Sequence, residues 1–200
     1  MKKTIVILMM IFTIGFAFAT TPIAFKATLV TPKTMVLSGG TSNTFTTLHT
    51  DFTYGLKKAN LHAKVNLQFN KIYLEGLMQY NVGKFKEIDL GFTWGGRIRI
   101  DATSVELAPA LLWNMSYQLA SNIAFYGGAQ FNFDLGMSTW SGFYVDFDLN
   151  GYLGTQIDLI DNLKLYIEVQ PAIWSGTNTA YLGVNYYFGK KSPKIDMPDA

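Results

Sequence analysis

Two imidazoles, His49 and His62, are the only ones in the chain, and there is no cysteine. Thiol nucleophiles, disulfides and cysteine-ligated metals are thereby excluded. His49 stands two residues before Asp51, and Asp146 stands two before Asp148. Residues two apart share one face of a strand, so each pair has the spacing of an acid–base couple. Any strand with one polar face repeats that spacing, so it specifies no catalyst. No serine lies in a nucleophile motif, and two histidines among scattered carboxylates carry no metal-ligand spacing. Gly95-Gly96 is no phosphate loop, because no helix follows it. The expectation is a non-enzyme with no metal and no cofactor.

The elements that carry these groups alternate apolar and polar residues with a period of two. In Leu163 to Trp174, one face holds Leu163, Leu165, Ile167, Val169, Pro171 and Ile173, and the other holds Lys164, Tyr166, Glu168, Gln170, Ala172 and Trp174. Ten such stretches are expected as strands, at about 23–30, 45–56, 61–69, 72–82, 87–100, 104–119, 122–135, 143–158, 162–174 and 179–188. Short turn-forming links such as Asp101-Ala102-Thr103 join them, and no helical period offers a crossover. The fold class is therefore all-β: a closed, antiparallel, up-and-down transmembrane β-barrel of about ten strands, with eight as the alternative if residues 20–44 lie outside it.

Facing follows from the parity of each strand. The charges expected inside are Asp51, Glu75, Asp89, Glu106, Asp134, Asp146, Asp148, Asp158 and Glu168, against Lys26, Lys64, Arg97, Arg99 and Lys164. Arg99 should lie opposite Glu106, Lys164 close to Asp158, and Glu75 within reach of Arg97. Tyr73, Tyr126, Tyr144, Tyr152, Tyr166 and Tyr187 also point inward and crowd the lumen. A plugged or very narrow lumen is expected, the acidic excess favouring small cations in anything that passes. Outward aromatics gather at two depths. Tyr54, Tyr80, Tyr117, Tyr186 and Phe188 fall toward one end, and Phe69, Phe133 and Phe143 toward the other, as two interfacial girdles would. Residues 31–44 and 136–142 read as outer loops able to bind a ligand, with Trp140 resting on the barrel rim.

The ends complete the reading. Lys2, Lys3, an apolar run from Thr4 to Phe16 and Ala17-Phe18-Ala19 form a secretory signal over residues 1–19. Residues 20–188 form the barrel, and 189–200, polar with Pro193 and Pro198, read as a disordered tail. The chain has 16 basic and 14 acidic residues, and loss of Lys2 and Lys3 leaves no net charge to attract nucleic acid. With its signal, its alternating strands and a last strand ending Tyr186-Tyr187-Phe188, the chain resembles the small bacterial outer-membrane β-barrel superfamily. That resemblance implies a bacterial outer-membrane location, lipid as the surrounding partner, and the barrel-assembly machinery as a partner in biogenesis. The tail after Phe188 departs from the family pattern, in which the aromatic is the last residue. The expected role is envelope structure or limited passage of small solutes by a monomer. Surface binding through the two outer loops is the alternative, and a lipid-active enzyme is a third.

Overall fold

The computed structural model describes residues 28–42, 47–171 and 179–188. The expected export signal, Lys26, most of the expected first strand and the expected C-terminal tail lie outside these residues. Ten strands form one closed ring: β1 Met35–Ser42, β2 Thr47–Gly55, β3 Asn60–Gln68, β4 Lys71–Phe85, β5 Ile88–Asp101, β6 Ser104–Ala120, β7 Ile123–Ser138, β8 Gly142–Ile160, β9 Leu163–Gln170 and β10 Thr179–Phe188. Each pairs antiparallel with its sequence neighbours, and β1 pairs with β10, so no edge is left open between first and last strands.

Three expectations are corrected. Among the described residues, 28–30 hold no strand, and 35–42, most of the expected outer loop 31–44, is not a loop. Met35–Ser42 is itself β1, held by β10 on one side and β2 on the other. Two glycines and two serines gave the segment a loop-like composition. The barrel needs small residues there, because a β-carbon at Gly40 would collide with the β10 backbone and the His49 ring. Nor is 136–142 a loop: β7 runs to Ser138 and β8 restarts at Gly142, leaving a tip of residues 139–141. Strand β9 covers Leu163–Gln170, the expected continuation from 172 to 174 lies outside the described residues, and the Pro171 carbonyl accepts from the Gly151 amide at 2.8 Å. The hairpin tip Asp101–Ser104 is tied by its own side chain, with Asp101 accepting from the amides of Thr103 and Ser104 at 2.9 and 2.8 Å.

Burial runs opposite to that of a protein in water. On β2, Thr47, His49, Asp51 and Thr53 are buried while Leu48 and Phe52 are exposed. On β6, Glu106, Asn114 and Ser116 are buried while Val105, Leu107, Leu111, Trp113 and Met115 are exposed. Polar groups inside and aliphatic groups outside suit a barrel whose outer solvent is hydrocarbon, so this is a transmembrane β-barrel. Ile167 faces outward in mid-strand. Ile167→Arg is expected to cost about 2–4 kcal/mol in equilibrium urea unfolding from lipid vesicles. A loss below about 1 kcal/mol would place that face outside the hydrocarbon.

The register fixes the shape. Stepping sideways from Asp158 leads through Lys164, Asn185, Ser38, Asp51, Lys64, Glu75, Arg97 and Ala108, one residue on each strand. From Ala108 the row crosses β7 at Asp134 and returns to β8 at Asp146, twelve residues from where it began. Ten strands with that shear tilt by about 42° and close at a radius of about 10 Å, so the row climbs about 30 Å along the axis. That rise matches the thickness of a bilayer's hydrocarbon core.

Candidate functional site: the lumen

The lateral row is also a row of charges. Read upward, it carries Asp158, Lys164, Asp51, Lys64, Glu75, Arg97, Asp134 and Asp146, interrupted by Asn185, Ser38 and Ala108. Over β2–β5 the signs alternate strictly, so each buried charge has an opposite charge one strand away. At the low end, where β1 begins and β10 finishes, Lys164 Nζ lies 3.0 Å from Asp158, and 5.1 Å from the centre of the Tyr187 ring. Near the high end, Arg97 donates to Asp134 at 2.9 Å and sits 3.8 Å from Glu106. Arg99 lies 2.7 Å from Glu106, and Tyr144 donates to the same carboxylate at 2.9 Å. Glu75 faces Lys64 on one side and Arg97 on the other.

Other charges expected inside sit at the mouths. Asp89 is half-buried at the low mouth, 3.9 Å from Lys84. Asp148 accepts from Asn150 at 3.1 Å. Asp146 is exposed and accepts from the Phe147 amide, so it belongs to the rim and not to the buried network. The reason is the length of β8, whose 19 residues carry its first third beyond the enclosed lumen. Arg99 and Glu106 form a close couple at 2.7 Å inside a cluster with Arg97 and Tyr144, and a double-mutant cycle with Arg99→Gln and Glu106→Gln is expected to give about 1–2 kcal/mol of coupling. Zero coupling would reject the pair.

Between the two ionic layers stand tyrosines. Tyr126, Tyr152, Tyr166 and Tyr181 are all buried, and Glu168 among them is fully inaccessible. Each of three rings crosses a neighbouring strand at a glycine and bonds beyond it. Tyr152 of β8 faces Gly128 of β7 and donates to the Trp113 carbonyl of β6 at 3.1 Å and to Asn114. Tyr126 of β7 faces Gly154 of β8 and donates to Glu168 of β9 at 3.0 Å. Tyr166 of β9 faces Gly183 of β10 and hydrogen-bonds His49 of β2. At the high end Tyr144 lies over Gly136 in the same way on its path to Glu106. A β-carbon at any of these four glycines would strike the tyrosine, so the glycines are seats for rings and not merely points of strand coiling. Tyr181 is a further inward ring, which sequence reading missed although it shares the parity of Tyr187.

A water-wide bore would leave inward side chains accessible at every depth. Here Gln79, Asn132, Tyr166 and Glu168 are fully buried, so these inward side chains present no accessible surface to a bore. Both histidines are inside. His62 meets Thr53 at 2.8 Å, Gln79 at 3.2 Å and Asp51 at 3.8 Å.

The outward aromatics sit as follows. Tyr54, Tyr117, Tyr186 and Phe188 lie near the low ends of their strands, the last two edge to face with ring centres 4.7 Å apart, while Tyr80 lies five residues above the end of β4. Phe69 is fully exposed in the β3–β4 turn, Phe143 is the second residue of β8, and the Phe133 and Phe147 ring centres lie 4.8 Å apart. Trp140 is 87% exposed at the β7–β8 tip and does not rest on the rim.

No protein-family model and no curated protein matches the sequence. Among solved structures, the KdgM porin is similar at 13% identity over 78% of this chain and 99% of that one, with a TM-score of 0.40. The Yersinia pestis outer membrane protein Ail, determined in a phospholipid bilayer nanodisc, is similar at 11% identity over 78% and 99%, with a TM-score of 0.41. Outer-membrane expressed OmpT of Vibrio cholerae is similar at 12% identity over 79% of this chain, which spans 62% of its length, with a TM-score of 0.35. The similarity is at the level of the barrel and carries no site residue across.

Proposed function

We propose that this chain is a bacterial outer-membrane barrel with a closed lumen, serving the envelope as an embedded structural element and not as an enzyme or an open pore. The observation that carries the reading is the tyrosine layer around Glu168, braced across Gly128, Gly154 and Gly183. The export signal and the aromatic-ended last strand support placement in the outer membrane. The non-enzymatic reading rests on the two imidazoles, which are buried in the lumen and cannot reach a surface substrate. The test is conductance of the refolded mature protein in a planar bilayer. Silence with proven insertion is the expected result, and stable unitary steps would overturn it.

A second reading is surface binding through the β7–β8 hairpin, favoured by the exposure of Trp140 and Phe143 at its tip. Loss of a captured surface ligand in Trp140→Ser, with insertion intact, would support it.

A further inference from the structure

On the lipid-facing wall, a depression of about 480 Å³ crosses β4 to β8. Its sides are Leu90, Trp113, Met115 and Leu153, and its floor is made low by Ala129 and Gly151. The floor residues face each other across the β7–β8 pairing, and Ala129 also opposes Trp113, so large outward side chains flank two that barely rise from the sheet. The lower end opens at Val82, from which β4 continues to exposed Phe85 and then Lys86 in the turn. Lys86 adopts φ 55, and its ammonium stands 5.7 Å from the centre of the Phe85 ring. Tyr117 lies at the same level, opposite Ile88, with its hydroxyl bonded to Glu87.

We propose that this wall is a binding site for one phospholipid, with an acyl chain in the depression and the phosphate on Lys86. The inference rests on the transmembrane reading of the barrel. Tail and headgroup features stand in the right order along β4: apolar recess first, then an aromatic ring, then an accessible ammonium at the interface. Lys84 is taken up by Asp89 at 3.9 Å and Glu87 bonds the Tyr117 hydroxyl, so the exposed Lys86 ammonium is the cation at that end that complements a phosphate. A second copy is a poorer fit, because two convex walls meet along a line, whereas a single hydrocarbon chain can lie in a recess one side chain deep.

The experiment is native mass spectrometry of the full mature protein extracted from membranes in mild detergent. The wild type is expected to retain one phospholipid per barrel. Ala129→Phe, which fills the floor, should lower the retained fraction at least tenfold, and Lys86→Glu should lower it severalfold. Leu182→Phe, on another part of the wall, should leave it unchanged. Heat-dependent gel mobility reports barrel closure separately, so a failed barrel is not mistaken for a lost site. Should Ala129→Phe not fold, a variant keeping only Trp113 (Trp94, Trp140 and Trp174 changed to Phe) is placed in phosphatidylglycerol vesicles brominated at mid-chain. Its quenching should exceed that of a variant keeping only Trp94. No retained lipid in the wild type, retention unaltered by Ala129→Phe, equal quenching of the two tryptophans, or a dimer mass in place of bound lipid would each overturn the proposal.

Discussion

Replacing Tyr152 and Tyr166 together by alanine is expected to turn a silent barrel into a conducting one. The two rings brace different sectors of the wall, β6 to β8 and β9 to β2 respectively. Removing both leaves voids that border polar groups such as Asn114, His49 and Glu168, and a polar void of that size fills with water. The newly wetted groups include Glu168 and Asp51 at mid-depth, so the steps should prefer cations. The phenylalanine pair, Tyr152→Phe and Tyr166→Phe, keeps the rings and drops only the hydroxyl bonds. It should remain silent, since rings fill the lumen and hydroxyls hold them in place. Each alanine costs about 3–5 kcal/mol, so insertion must be shown by heat-dependent mobility before conductance is read. An inserted double-alanine variant that stays silent would mean that the tyrosines do not close the lumen.

Much of this site could be read in the sequence because a strand's parity is local. Glu106, Arg97 and Lys164 had to face one way and Leu107, Ile98 and Leu165 the other, whatever the register. Hairpin pairs followed almost as directly, since a two-residue turn places Arg99 opposite Glu106. Two things were hidden, and both depend on neighbours far away in sequence. β1 looked like a loop because Gly39, Gly40, Ser38 and Ser42 have no strand signature; their small size answers to Gly183 and His49 on the flanking strands. The tyrosine seats were hidden for the same reason. Tyr166 with Gly183 is a statement about the β9–β10 register, and its bond to His49 spans the closure of the barrel. A glycine falling opposite an inward tyrosine on the next strand is the signal that would have revealed them. The full charge row could be read only after all ten registers were known, because its continuity is a property of the shear.

Arg97→Gln should be the most destabilising single change in the network, at about 3–5 kcal/mol. Arg97 is almost fully buried, faces Glu75 across the β4–β5 pairing, and holds Asp134 at 2.9 Å and Glu106 at 3.8 Å. Removing its charge strands carboxylates that water cannot reach, and the cost is their desolvation more than the loss of any one bond. That account makes a sharper claim than the size of the loss. If the penalty lies in the stranded carboxylates, Arg97→Gln with Asp134→Asn should be more stable than Arg97→Gln alone, although it lacks two charged partners instead of one. Arg97→Lys should fall between wild type and Arg97→Gln, because an ammonium keeps the charge but cannot reproduce the fork that reaches two carboxylates at once. Urea unfolding from lipid vesicles measures all three. Were the double variant to lose the sum of its parts, the network would be a set of independent bonds, and the alternating row would owe nothing to charge balance.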